Sequence, residues 1–388
     1  MEEQKKDLGL YIHIPFCVKK CDYCDFLSAP ADEDTKRLYV EALISEIKSY
    51  RELASKYRVK TIFIGGGTPS SIEGQFIVNI MEAIKEIFTV HGAEITIEAN
   101  PGTLSLDKLN CYKEAGITRL SIGLQSTDNE ELQLLGRIHT YEEFLENYRL
   151  ARELGFDNIN IDLMSALPGQ CLDNWLVTLK KVTELNPEHI SAYSLILEEG
   201  TPFFKKYKEE DQDEDLDRDI YAKTKECLEL AGYYRYEISN YAKKGFECKH
   251  NSSYWTRVEY LGMGLGSSSL IHNERFHNED KLIDYMELSA DYNSLRRDID
   301  RLSVSQQMEE FMFLGLRMSI GVNKEDFKRE FGKSIETIYG DVINQSVSKG
   351  LLFDEGNQIY LSDKGIDLSN MVMSGFLLDD LLLIDTII

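Results

Sequence analysis

Six short β-rich runs alternate with amphipathic stretches between residue 9 and about residue 200, and this alternation restricts the fold more than any other feature of the chain. The runs are "GLYIHI", "KTIFIGG", "EITIEA", "TRLSIG", "NINIDL" and "HISAYSL", each closing near Gly, Asn, Pro or a charged residue. Between them Val40, Leu43, Ile44 and Ile47 recur at helical spacing, as do Ile77, Ile80, Met81 and Ile84. Strands that alternate with helices make a parallel sheet with right-handed crossovers. Six units fall short of the eight of a closed barrel. The expected class is therefore α/β, a partial (βα)6 barrel over residues 1–205.

In such a sheet the chemistry belongs at the carboxyl ends of the strands. The unusual residues fall there: a cysteine loop after "YIHI", "GGGTP" after "TIFI", Glu98 and Asn100 after "EIT", Gln125 after "LSIG", and Asp162 after "NINI". Residues 206–300 read as an irregular connecting region, rich in tyrosine, with a Gly-rich turn "YLGMGLGSSS". From residue 301 three helical segments and the hairpin "LLFDEGNQIYLSDKG" predict a winged-helix-like C-terminal domain over 301–388. With acidic residues around it, that domain reads as a packing or partner module.

A formal net charge of −24 repels phosphate backbones, so nucleic acid is not an expected partner. The acidic run Glu209 to Asp219 reads as a solvated loop or helix face. No charged-then-apolar leader and no apolar run of about 18 residues is present, so neither a signal peptide nor a spanning helix is expected. The apolar tail "GFLLDDLLLIDTII" suits a core-docking helix, a homodimer contact or a peripheral membrane contact. Seven cysteines, three of them crowded together, fit a reducing, cytoplasmic compartment and a metal site rather than a disulfide framework. Cys111, Cys171 and Cys227 read as structural thiols.

The crowded trio is Cys17, Cys21 and Cys24, in "YIHIPFCVKKCDYCDF". A structural zinc site is closed by four ligands in paired knuckles. Three thiolates in one short loop fit a [4Fe–4S] cluster with one iron left open to a cofactor or substrate.

This loop, with "GGGTP" after the next strand, resembles the radical S-adenosylmethionine (SAM) superfamily, in which SAM chelates the open iron and is cleaved reductively to a 5′-deoxyadenosyl radical. Gly65, Gly66 and Gly67 would then let the backbone approach the methionyl group. "IFIGGGTPS", "IEANPGT", "RLSIGLQS", "LGRIH", "NIDLMSALPGQ" and "YEISNYA" narrow the resemblance to the oxygen-independent coproporphyrinogen III oxidases and their relatives. By that resemblance Tyr11 and Tyr23 flank the cluster and contact SAM, while Gly66, Gly67 and Thr68 meet its amino group. Glu98 serves the ribose or sulfonium side. Gln125, Arg137, Asp162 and Ser194 bind further polar SAM atoms, or a second SAM. A structural Arg137–Asp162 ion pair is the alternative for those two residues.

The oxidases of the family carry a fourth cysteine two residues after the third and a longer N-terminal arm. This chain has Phe26 there and sixteen residues before Cys17. Both features resemble the HemW branch, whose members are haem chaperones that deliver haem to respiratory proteins. "HNSSYW" at His250 to Trp255 is similar to the HNxxYW signature of that branch. An imidazole is a standard haem ligand, and Tyr254 and Trp255 offer flat faces to a porphyrin. Cys248 is a possible second ligand. The alternative is a turn in which His250 and Asn251 bond backbone while Tyr254 and Trp255 pack. His13 is expected to support the cluster or SAM pocket and His139 to pack; nothing distinguishes His272 or His277. The implied function is haem carriage, with an anaerobic coproporphyrinogen oxidase, or another radical SAM enzyme acting on a tetrapyrrole, as the alternative.

Overall fold

The computed structural model describes residues 5–208 and 213–378. Its parallel strands are β1 (Lys6–Ile14), β2 (Tyr57–Gly66), β3 (Thr89–Ala99), β4 (Arg119–Gln125), β5 (Ile159–Ser165) and β6 (His189–Ser194). They pair in that order. Helices Glu33–Ser49, Gly74–Ile87, Leu106–Ala115, Tyr141–Glu153 and Leu172–Glu184 supply the crossovers. Local chemistry sets several of their ends. Asp32 caps Glu33–Ser49 by accepting from the Thr35 amide, and Thr140 with Glu143 makes a capping box. The predicted apolar stripes bury Val40, Leu43 and Ile47 on one helix and Ile77, Ile80, Met81 and Ile84 on the next.

The stretch 206–300 departs from the expected irregular connector. Its short strands extend the same sheet: β7 (Tyr234–Arg235) and β8 (Asn240–Ala242) continue antiparallel beyond β6. β9 (Tyr260–Met263) returns to lie parallel to β1, followed outward by β10 (Ser268–Ile271), β11 (Glu274–Asn278) and β12 (Arg296–Arg301). The result is one twelve-stranded sheet ordered β12-β11-β10-β9-β1-β2-β3-β4-β5-β6-β8-β7. It stays open, a partial barrel with β12 and β7 as edges. One apolar core runs continuously from Leu8 to Leu295.

The concave face carries polar residues at every second position: Glu94, Thr96 and Glu98 on β3, Arg119 and Ser121 on β4, Asn160 and Asp162 on β5, His189 and Ser191 on β6. Register brings them into rows, with Thr96 beside Arg119, Glu98 beside Ser121, Ser121 beside Asn160, and Asn160 beside His189. A parallel sheet packed on both faces reads as continuous apolar runs. The alternation here marks a polar lumen.

The C-terminal domain packs helices Val304–Gly315, Lys324–Phe331 and Ile335–Ser348 against a small sheet of β13 (Val322–Asn323), β14 (Leu352–Glu355) and β15 (Gln358–Leu361). This is the expected winged-helix-like arrangement, with its own core from Met308 to Phe376. It docks on the barrel through Glu310, which accepts from Arg257 and Arg275, and through Asp363, which meets Lys225 and Arg235. Residues 213–219 of the acidic run lie at the exposed start of helix Glu214–Leu230, capped by Asp213. Residues 209–212, and the apolar tail from 379 onward, lie outside the described residues.

Candidate cofactor and ligand site

The cysteine loop leaves β1 at the carboxyl end of the sheet and is tied down by backbone bonds. The Cys17 amide donates to Ala29 O, Asp22 N to Leu135 O, and Phe203 N to Asp22 O. His13 adds a side-chain tie. Its Nε2–H donates to Leu27 O at 2.9 Å, which leaves Nδ1 to accept from the Tyr11 hydroxyl at 3.0 Å. Burial holds the His13 imidazole below its ordinary pKa, and therefore neutral.

All three cysteines of the loop are free thiols. Two meet donors that favour a thiolate: Thr68 Oγ1 donates to Cys17 Sγ at 3.4 Å, and Arg137 Nη1 to Cys21 Sγ at 3.5 Å. Burial raises the Cys24 thiol in the absence of a metal. Among the described residues no three Cys, His, Asp or Glu side chains converge on a single ion. Three free thiols on one short loop, two of them met by side-chain donors, are the kind of donor set that a [4Fe–4S] cluster with one open iron would take.

The "GGGTP" turn is built around this loop. A Cβ on Gly67 would lie 2.8 Å from Phe16 O and 3.0 Å from Cys17 Sγ, and one on Gly66 (φ +116°) would lie 2.6 Å from the His13 ring. These glycines therefore admit the protein's own cysteine loop, a requirement that exists without any ligand. The Gly66 amide donates to Glu98 Oε2 at 3.1 Å. Desolvation, with the nearby Asp162 charge adding to it, pushes the Glu98 carboxyl up to about 8.

Asn100 is the pivot between strands. Its Nδ2 donates to Thr68 Oγ1 at 2.9 Å while its Oδ1 accepts from Arg137 Nη2 at 2.8 Å, and the same guanidinium reaches Gly123 O at 2.5 Å. Cys21, Thr68, Asn100 and Arg137 thereby converge on one small hollow. The alternative Arg137–Asp162 ion pair does not form: Asp162 instead accepts from Asn160 Nδ2 at 2.7 Å and Ser121 Oγ at 3.1 Å. Gln125 ends β4 in a left-handed conformation (φ 74°), where the β4–β5 register slips. Tyr23 packs edge-on to Phe203 and faces Arg137; burial raises its phenol. His139 packs, its Nε2 3.3 Å from Leu124 O.

Two expected site residues are placed differently. Ser194 donates to Asp217 Oδ1 at 2.6 Å and lines a separate cavity with Leu167 and Gln170. It does not join the cysteine-loop cluster. His250, expected as a haem ligand, is enclosed, with 1% of its surface exposed. It lies in helix Lys249–Trp255 with its ring stacked on Phe63 (5.2 Å, 26°). Both nitrogens are occupied, Nδ1 by Thr61 Oγ1 at 2.9 Å and Nε2 by the Tyr254 hydroxyl at 2.7 Å. Desolvation and the Arg119 charge lower it to about 3. Cys248 is also enclosed, its thiol pushed up to about 11 and directed at Glu94 Oε1 at 3.7 Å. Neither residue offers a free ligating atom here.

Sequence reasoning missed the lumen network that surrounds them. From Asp162, bonds continue through Asn160 to His189 Nδ1 (2.6 Å), from His189 Nε2 to the Tyr236 hydroxyl (2.9 Å), and on to the Cys248 amide (3.2 Å). Glu94 closes the path by accepting from His250 N at 3.1 Å. Arg119 is the buried cation among these groups. The period-two polar residues inside β-rich runs were the available signal.

What the helix Lys249–Trp255 does present is its aromatic end. Tyr254 and Trp255 line a cavity of about 450 Å³ whose other walls include Tyr11, Phe26 and Leu27 beside the cysteine loop, Tyr260 and Arg275 from the outer strands, and Leu314 of the C-terminal domain. No helix among the described residues is long and apolar enough to cross a membrane.

Comparison with known proteins places this geometry. Residues 11–182 match the Radical SAM superfamily and residues 302–368 the HemN C-terminal domain. The chain is 37% identical to the haem chaperone HemW of Bacillus subtilis, over 95% of this chain and 98% of that one. It is 32% identical to the mouse mitochondrial radical S-adenosyl methionine domain-containing protein 1, over 92% and 84%. Among solved structures, Escherichia coli coproporphyrinogen III oxidase superimposes with a TM-score of 0.84 at 25% identity, covering 96% of this chain and 90% of that one.

Proposed function

Because the chain belongs to the HemW family of radical SAM proteins, we propose that it is a haem chaperone holding a [4Fe–4S] cluster, SAM and haem, and passing haem to respiratory proteins from the cytoplasm. The observation that carries this reading is the shared cavity: Tyr254 and Trp255 of the "HNSSYW" helix face the same space as Phe26 and Leu27 of the cysteine loop. A flat apolar ligand suits a space lined by Tyr11, Phe26, Tyr254, Trp255 and Tyr260.

In this reading Cys17, Cys21 and Cys24 hold the cluster, and Thr68 and Arg137 offset the charge on two of the sulfurs. A bound cluster with SAM on its open iron supplies reductive sulfonium cleavage. The Arg137 guanidinium and the Asn100 amide stand at the hollow beside Cys21, where a carboxylate on the open iron would meet a cation. Glu98, kept largely neutral at pH 7, can accept or donate a hydrogen bond to polar SAM atoms, with Asp162 behind it. Tyr11, Tyr23 and Gln125 complete the rim. Phe26, 61% exposed, presents a ring where the family's oxidases carry a fourth cysteine, and so widens the apolar wall next to the cluster.

Anaerobic haem titration of the cluster-loaded protein tests the assignment. Saturable one-to-one binding, weakened at least tenfold in a Tyr254→Ala, Trp255→Ala variant, is expected; absence of haem binding refutes it. The fold likeness to coproporphyrinogen III oxidase favours a second reading. Turnover of coproporphyrinogen III under reducing conditions, without stoichiometric haem binding, would establish that one instead.

A further inference from the structure

The aromatic cavity contains two hydrogen-bond donors with no partner in the protein. The indole Nε1 of Trp255 and the guanidinium Nε of Arg275 are both shielded from solvent, and neither finds an acceptor. Both residues line the cavity. Buried N–H groups are almost always paired, and an orphaned one marks a place where an absent acceptor belongs.

The surroundings say what kind of acceptor. Arg275 spends Nη2 on Glu310 Oε1 at 2.7 Å, but Glu310 also accepts from Arg257 Nε at 3.2 Å, so one carboxylate serves two guanidiniums. A third cation, Arg317, lies over the Trp255 ring 4.4 Å from its centroid. Arg257 has a second carboxylate, Glu330, at 2.7 Å, so Arg275 is the guanidinium that lines the cavity with its Nε still unpartnered. The other walls are apolar or aromatic, among them Phe26, Tyr260 and Leu314.

We infer that this cavity recognises its planar ligand by a peripheral carboxylate, bound by the Trp255 indole N–H and the Arg275 guanidinium. The inference rests on the haem reading above and deepens it. Haem carries two propionate carboxylates on one edge of an otherwise apolar disc, and an indole beside a guanidinium distinguishes that edge from the opposite one. Arg275 acts as a charge-assisted donor, Trp255 as donor and wall at once. The ring edge away from the propionates then lies toward the cysteine loop.

The test compares iron protoporphyrin IX with its dimethyl ester, in which both propionates are capped, on the full-length cluster-loaded protein. Wild type should bind the free acid about tenfold more tightly than the ester, equivalent to about 1.4 kcal/mol. Trp255→Phe, which keeps a ring under Arg317, and Arg275→Met should each shrink that ratio to about threefold, and the double variant should abolish it. Equal affinity of wild type for acid and ester overturns the inference while leaving the haem reading intact, as does a ratio that survives in the double variant. Binding of neither compound overturns the haem reading itself. Where the double variant fails to fold, the two single variants decide: a ratio that stays at the wild-type value in both overturns the inference.

Discussion

Replacement of His250 separates a haem ligand from a residue that supports the cavity wall. The imidazole contributes two enclosed hydrogen bonds, to Thr61 and Tyr254, and ring contacts to Phe63 and Tyr254. Each bond is worth about 1 kcal/mol net, and each ring contact about 0.5–1 kcal/mol. His250→Ala should therefore cost about 3–4 kcal/mol. For a cooperative unit of about 300 residues, with about 2.1 cal/mol/K of unfolding entropy per residue, that lowers Tm by about 5–6 °C. Haem affinity should fall with it, because the Tyr254 hydroxyl loses its anchor. The identity of the iron ligand should stay the same. Electron paramagnetic resonance of the ferric complex, recorded for wild type, His250→Ala and His250→Gln, reads that identity directly. An imidazole signature in wild type that disappears in His250→Gln at unchanged Tm would refute the packing role and restore His250 as a ligand.

Three other perturbations follow from the site. Gly67→Ala places a methyl group 2.8 Å from Phe16 O and 3.0 Å from Cys17 Sγ; Tm and the iron and sulfide content after reconstitution should both fall, the content by more than half, and full cluster content would count against the packing argument. Arg137→Gln removes the cation bonded to Asn100, Gly123 and Cys21. SAM affinity by calorimetry should fall about 30-fold, matching about 2 kcal/mol for a charge-assisted bond, and unchanged affinity would remove Arg137 from the site. Glu46 is fully buried, accepts from Gly264 N, Asn278 and Tyr285, and has its carboxyl raised from 4.5 to about 7 by desolvation. The native state thus holds a proton that the unfolded chain releases above its ordinary value. The stabilisation is full below about pH 4.5 and is lost as pH rises through about 7, an order of 3 kcal/mol in all. Wild-type Tm should therefore fall from pH 5 to pH 8 relative to Glu46→Gln, and parallel profiles would contradict this.

All six parallel strands were legible because each is a β-rich run bounded by turn residues, and the helices between them carry full apolar stripes. The outer strands were not. β7, β8 and β9 span two to four residues, too short to show a period, and β9 pairs with β1, some 250 positions earlier in the chain. No local pattern carries a contact of that range. Cys17, Cys21 and Cys24 stood out because their crowding into one loop is visible in the spacing alone. His250 is legible only in part: residue type and helical spacing with Tyr254 are visible in sequence, whereas burial and the occupancy of both ring nitrogens are tertiary facts. Asn100 was placed at a strand end by sequence, but its bridging of Thr68 and Arg137 depends on how β2, β3 and β4 curl together.

The position of β1 has a consequence for biosynthesis. In the finished sheet β1 lies between β2 and β9, yet on the ribosome every residue up to Ser194 emerges before Tyr260 does. Through most of translation, then, the strand that launches the cysteine loop is an open edge, with Gly9 to Ile12 unpaired on one side. The nascent half-barrel exposes the thiols on its rim while the wall made by Tyr254, Trp255 and Tyr260 does not yet exist.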